Sequence, residues 1–227
     1  MKGPPPRSGA RRWLGTAAGL AAGAVLLAAC SSSGYRYVHD SGTKTFFKIP
    51  QTWKTFNEQD LIPGETQPNP FQQAGNPTQF LVGFSADPQA QPGDIPDPAS
   101  NQPQGFVLVH NLSSSERDQI SLGFLRNAFV PIDQMYSKDP NSVAVFVDDE
   151  DLTRTGFHGS HLVFSVRQSQ DQVRQYTESF TVNQTALIDP ATSKVYLLVI
   201  LCTSDCYQKN QKTIELVADS WKVREPS

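Results

Sequence analysis

Two kinds of apolar pattern run along this chain. In residues 161–167, Leu162, Phe164 and Val166 alternate with His161, Ser165 and Arg167. That period of two predicts a strand with one face on a core and the other toward solvent. Residues 173–183 repeat it with Tyr176, Phe180 and Val182 on one face. The run Val195-Tyr196-Leu197-Leu198-Val199-Ile200-Leu201 is apolar throughout and predicts a central strand covered on both faces, within 194–201. Further strands are predicted at 79–84, 105–112, 143–147 and 153–157, with a turn at 168–172. Tyr35–Val38 and Lys44–Ile49 read as a hairpin around Ser41-Gly42, ended by Pro50 and continued briefly over Trp53–Phe56.

Helical spacing occurs twice. Ile120, Phe124, Leu125, Ala128, Phe129 and Ile132 recur every three or four residues. Ser115-Glu116-Arg117-Asp118 before them resembles a capping box, and Pro131 should end or kink the helix near Val130. A last helix is predicted from Cys206 to Ser220, with Ile214, Val217, Ala218 and Trp221 as its apolar stripe. Strands, a helix, more strands and a helix predict an α+β fold, an antiparallel sheet flanked by two main helices, in one domain over residues 35–223. Proline-rich loops interrupt it at 57–77 and 87–104. The second holds Pro88, Pro92, Pro96, Pro98 and Pro103 and is expected as a mobile surface excursion, with partner recognition as the sharper alternative.

The first residues depart from this pattern. Lys2, Arg7, Arg11 and Arg12 precede the Ala-, Leu- and Gly-rich run Trp13–Ala29, the layout of an export signal. Seventeen apolar residues fall short of the roughly 20 that a bilayer span needs. The run ends in Leu27-Ala28-Ala29-Cys30, which resembles the lipobox of bacterial lipoproteins. That resemblance implies cleavage of residues 1–29, a palmitate-type lipid on Cys30, a short tether to residue 34, and a place on the extracytoplasmic face of the cell membrane. An ordinary secretory signal or an uncleaved anchor is the alternative. Arg11-Arg12-Trp13-Leu14 leaves twin-arginine export open, although Gly15 stands where a bulky apolar residue is usual.

Cleavage changes the charge. The signal holds four of the 19 Lys and Arg and none of the 22 Asp and Glu, so the mature chain carries 15 against 22, a formal charge of −7. An acidic domain is a poor nucleic-acid binder. By net charge it also gains nothing from an anionic membrane, so the lipid is expected to be its membrane contact. With Cys30 lipidated, Cys202 and Cys206 remain, and in an exported chain they are expected to form a local disulfide. A redox pair favours Cys-x-x-Cys, which Thr203-Ser204-Asp205 does not allow, and two thiols make only half a zinc site.

Other chemistry is sparse. His39 lies at a predicted turn and His110 on a strand, each alone in sequence. His158 and His161 are clustered, but three residues apart on a strand they point to opposite faces. The stretch around Ser160 lacks the G-x-S-x-G elbow. Asp148-Asp149-Glu150-Asp151 is expected to be a solvated turn between strands; a weak calcium site is the alternative, without the D-x-[DN]-x-[DN]-G framework. No catalytic, cofactor-binding or metal residue is assigned.

Phe47-Lys48-Ile49-Pro50-Gln51-Thr52-Trp53 resembles the opening F-x-(aliphatic)-P-x-x-W of PsbP-like domains. Ile214–Val223, ending in Ser220-Trp221-Lys222-Val223, resembles their final helix followed by S-(aromatic)-x-(aliphatic). The layout is similar to actinobacterial lipoproteins of the LpqN type. The chain departs at Thr52, where Gly or Asp is common, and in its proline-rich loops. The resemblance implies a sheet flanked by helices and a non-enzymatic accessory or binding role, with no shared catalytic residues. Trp53 and Trp221 are expected in the core. The expected function is a membrane-anchored binding module for an envelope protein or small ligand; a carrier of lipid or small apolar molecules, or an envelope hydrolase using His158 or His161, are the alternatives. Replacing Cys30 with Ser should release the protein from membrane fractions and remove the lipid mass from its intact mass spectrum. Retention of both would refute the anchor.

Overall fold

A computed structural model describes residues 34–62, 78–154, 156–170 and 175–224. The signal segment, Cys30 and its tether to residue 33, most of the 57–77 loop and the tip of the 168–172 turn lie outside these residues. The chain runs through β1 (Tyr35–Asp40), β2 (Thr45–Pro50), β3 (Lys54–Asn57), α1 (Glu58–Leu61), β4 (Thr78–Ser85) and β5 (Gln104–Asn111). Next come α2 (Ser114–Arg117), α3 (Leu122–Arg126), α4 (Ile132–Lys138), β6 (Val143–Arg154), β7 (Phe157–Gln170) and β8 (Gln175–Ile188). It ends with β9 (Lys194–Thr203), α5 (Ser204–Ser220) and β10 (Lys222–Val223).

Seven strands form one antiparallel sheet in the order β3-β4-β5-β9-β8-β7-β6, and β1-β2-β10 form a small second sheet. The expected α+β architecture is therefore present. β9 is central, between β5 and β8, and is buried from Val195 to Cys202. Its alternate side chains enter two cores: Leu197, Val199 and Leu201 on one face, Leu198, Ile200 and Cys202 on the other. Burying one such side chain contributes about 1.5–3 kcal/mol, and β9 supplies several to each core, as β5 does with Phe106 and Leu108 on one side and Val107 and Val109 on the other. The first core is closed by residues of α1, α3 and α4 and by the 87–103 segment, the second by α5 and the small sheet.

Local chemistry explains α5. Thr203 caps it through the Cys206 amide, and the Cys202–Cys206 disulfide ties its first turn to the end of β9. At its far end the Ser220 hydroxyl accepts from the Lys48 amide at 3.0 Å, docking the helix on β2. Trp53 and Trp221 are buried, as expected. The hairpin β1-β2 and the strands at β4, β5 and β9 also follow the sequence pattern.

Four expectations need correction. The single helix expected over 120–130 is only the short α3, with α2 separate before it and α4 after Pro131. The capping box belongs to Ser113 and Glu116, two residues earlier than expected, and starts α2. Ser121 then caps α3, and Asn127 ends it by donating to the Gly123 carbonyl, so the break precedes Pro131. The 87–104 segment is not a loose excursion. Ala90 and Ile95 are buried in the first core, and the Gln104 amide donates to the Asp97 carbonyl at 2.6 Å. Its prolines set the course of a chain whose few apolar side chains point inward. The 57–77 loop opens with α1, and the Trp53–Phe56 continuation leaves the hairpin to become an edge of the large sheet. Finally, Asp148–Asp151 is not a turn: it lies within β6, whose pairing with β7 shifts register between Asp149 and Leu152.

Gly105 sits where β5 meets β9. A Cβ there would lie 2.0 Å from the Val199 carbonyl oxygen, a backbone atom that cannot move aside. Gly105→Ala should cost more than about 3 kcal/mol in urea unfolding. Gly93→Ala, with no atom within 4 Å of the added Cβ, should stay within about 0.5 kcal/mol of the parent.

Candidate functional site

The longer of the two edges of the large sheet is β6, which pairs only with β7 among the described residues. Its first half, Val143-Ala144-Val145-Phe146-Val147, is apolar throughout like β9, yet Val145, Phe146 and Val147 are exposed, Phe146 by 64%. An uncovered apolar edge strand is unusual, because its free N–H and C=O groups template pairing with another chain.

A bulge at Phe146 decides which faces Val147, Asp148 and Asp149 take, before a second register shift between Asp149 and Leu152. Val145 pairs with Phe164 and Val147 with Val163, so two steps on β6 match one on β7. The alternation of side chains changes phase there. Before the bulge Val143 and Val145 share the face of Val166 and Phe164, the first core; after it Asp148 takes that face, opposite Leu162. Asp149 is turned to the other face, opposite His161.

Asp148 thereby reaches Arg126 at the end of α3. The Arg126 guanidinium donates through one Nη to Asp148 and through Nε to Asp133 Oδ1 at 3.0 Å. Burial alone would lower the guanidinium pKa, but the hydrogen bonds and charges of the two carboxylates hold it above its ordinary value. α3 is itself held from below, since the buried Gln184 amide on β8 donates to the Leu125 and Arg126 carbonyls. Asn127 completes the corner, donating to Asp133 Oδ2 at 2.7 Å and accepting from the Asp133 amide. α4 starts from this corner and is anchored by Ile132, which is buried.

A pocket of about 270 Å³ opens between α4 and β6, lined by Arg126, Ile132, Asp133, Tyr136, Val143 and Val145. Its floor is aliphatic, its rim holds an ion-paired arginine, and the exposed Tyr136 stands beside it. Such a site takes an apolar side chain or small apolar group and offers carboxylates to a neighbouring cation.

The histidines lie elsewhere. His158 is exposed and faces the opposite side of β7 from His161. His161 belongs to a polar chain: Nδ1 is 3.5 Å from Asp149, Nε2 is 3.1 Å from Asn183 Oδ1, and the Asn183 amide donates to the Tyr207 hydroxyl at 3.2 Å. Burial raises the Tyr207 pKa, partly offset by the Asn183 bond. Both ring nitrogens of His161 thus face partners that are neither hydroxyl nor thiol. His110 is buried on β5, its pKa lowered by that burial and partly restored by Glu116 at 3.8 Å. His39 stacks on Phe46 in the small sheet. Cys202 and Cys206 are joined, as expected, and Cys30 lies outside the described residues. No group of three or more metal-ligating side chains occurs among the described residues.

Arg126, Asp133, Tyr136 and Phe146 were not singled out by sequence reasoning. The available signal was the apolar run 143–147, whose alternation was too weak to reveal which residues face out. Asn183→Ala should cost about 1–3 kcal/mol, because it strands the buried Tyr207 hydroxyl and frees His161. In a denaturant titration that loss should appear with little change at the α4–β6 pocket.

No family model matches the chain, and no curated relative does. Among the described residues no helix is long and apolar enough to cross a membrane. Solved structures similar to this one include the cyanobacterial PsbP (CyanoP) of Synechocystis sp. PCC 6803, at 10% identity and a TM-score of 0.42, covering 84% of this chain and 93% of that one. They also include LpqN of Mycobacterium tuberculosis, described as involved in cell envelope biogenesis, at 14% identity and a TM-score of 0.44, covering 84% of this chain and 91% of that one.

Proposed function

We propose that this chain is a lipid-anchored, extracytoplasmic binding module without catalytic activity, and that it takes an extended segment of an envelope protein along β6. The observation that carries the reading is the exposed apolar run Val145, Phe146 and Val147 at a sheet edge, beside a pocket lined by Val145 and the exposed Tyr136. An added strand would pair with the backbone of residues 143–147, whose described strand partner is β7 alone, and one of its apolar side chains would fill the pocket. On the pocket's side the two carboxylates of Asp133 and Asp148 face the one Arg126 guanidinium and would favour a basic residue next to it. The lipobox-like Leu27-Ala28-Ala29-Cys30 supports the anchor, and the Cys202–Cys206 disulfide is consistent with an oxidising compartment.

The pocket volume bears on the second reading, a carrier of small apolar ligands. About 270 Å³ is below the ~300–1,000 Å³ of drug-sized ligand sites, so one side chain fits it better than a whole lipid. The binding reading is tested with a photoreactive residue at position 146 in intact cells. Crosslinking to one envelope protein, lost with Val145→Asp and absent when the probe sits at the exposed position 209 of α5, is the expected result. Equal labelling from both positions would refute it. A small molecule retained in native mass spectra and displaced by Ile132→Trp would replace it with the carrier.

A further inference from the structure

The small sheet carries a second surface of different chemistry. β1 pairs with β2 so that Tyr35 faces Pro50, Tyr37 faces Lys48 and His39 faces Phe46; β10 sets Lys222 beside Phe46. Paired residues share a face. Phe47, Ile49 and Val223 turn into the second core, so Tyr35, Tyr37, His39, Phe46, Lys48 and Lys222 point outward. Cations and rings are interleaved there. Lys48 Nζ lies 5.5 Å from the Tyr35 ring centre, and the Arg224 guanidinium lies 5.3 Å from that of Phe46. Tyr37 is 75% exposed. No carboxylate stands at these outward positions. Asp40 belongs to the inward set of β1 and accepts from the Thr43 amide and hydroxyl within its turn.

This concentration runs against the charge of the whole. The mature chain is −7, yet Lys48, Lys222 and Arg224 share one face without an acid among its outward positions. Aromatic rings with a polar tip, mixed with lysine and arginine, are the chemistry of a protein surface at the membrane–water interface. The chain also limits where the face can be. Five steps separate Cys30 from Tyr35, which at ~3.6 Å per residue is at most about 18 Å.

We propose that the outer face of the β1-β2-β10 sheet lies on the membrane, with Lys48, Lys222 and Arg224 on anionic lipid headgroups and Tyr35 and Tyr37 in the interfacial layer. Its placement rests on the lipid anchor proposed above; its chemistry does not. The expectation that net charge leaves no electrostatic contact with the membrane is thereby revised, because net charge averages over faces that meet different surroundings. With this face down, the domain has two contacts with the bilayer rather than a lipid alone, and the second one orients it.

The mature chain carrying Cys30→Ser separates surface from lipid. It should sediment with vesicles containing about one third phosphatidylglycerol, not with phosphatidylcholine alone, and raised salt should release it. Lys48→Glu combined with Lys222→Glu and Arg224→Glu should weaken that binding on the order of 100-fold. A Tyr37→Trp probe should shift its emission to the blue only with the anionic vesicles. Absence of binding, or binding indifferent to lipid charge and salt, would overturn the proposal. The mass of native Cys30 is read separately. An unlipidated native chain whose Cys30→Ser form still binds anionic vesicles removes the anchor and keeps the surface. A lipidated chain whose Cys30→Ser form ignores them removes the surface and keeps the anchor.

Discussion

β9 is buried on both faces, and the rest of the domain is arranged around that. A strand that is apolar at every position must have cover above and below, or it exposes side chains each worth about 1.5–3 kcal/mol of burial. α5 and the small sheet cover one side of β9; the short helices α3 and α4 and the 87–103 segment cover the other. The disulfide and the Thr203 cap turn the chain directly from β9 into its own cover. The proline-rich 87–103 segment has to fold down because the first core would otherwise be open over Leu81, Phe106 and Gly83, where Leu61 and Ile95 now pack.

The sheet ends where its cover ends. On the α5 side of β7 and β8 the packing gives way to polar groups, and Asp149, His161, Asn183 and Tyr207 satisfy one another from the surface inward. On the opposite side α4 reaches only part of β6. The pleat divides Asp148 and Asp149 between faces, and the one inserted residue at Phe146 sets which of them takes which. Asp148 goes to Arg126 and fixes the corner of α3 and α4; Asp149 goes to His161. The bulge therefore builds the pocket as well as bending the edge. It leaves Val145-Phe146-Val147 uncovered, with Asp148 and Asp149 immediately beyond as the charges that blunt the remaining edge against uncontrolled pairing.

Two exposed surfaces of opposite character result. The β6 edge is apolar with acids beside it; the outer face of the small sheet is aromatic with cations. The two belong to separate sheets. A domain resting on the small sheet would keep the β6 edge for another protein, since different strands supply the two surfaces.

Several features could be read from sequence because they depend on neighbours in the chain. The apolar run of β9, the alternation at 161–167, the α5 stripe, the tight turn at Ser41-Gly42 and the four-residue spacing of Cys202 and Cys206 are local patterns with local causes. The same logic misplaced what is decided at a distance. Five prolines in 87–104 describe the backbone but not that Ala90 and Ile95 would find a core. Helical spacing over 120–132 does not disclose that Ser121 and Asn127 cap so early. Four consecutive acids look like a turn, but the strand continues through them and sets Asp148 on Arg126 and Asp149 on His161. The sequence by itself determined the class of fold, the central strand, the final helix, and a lipobox-like run ending at Cys30. Only the tertiary structure decided which apolar strand is left open and which cations share a face, because register and strand order couple residues that no spacing along the chain connects.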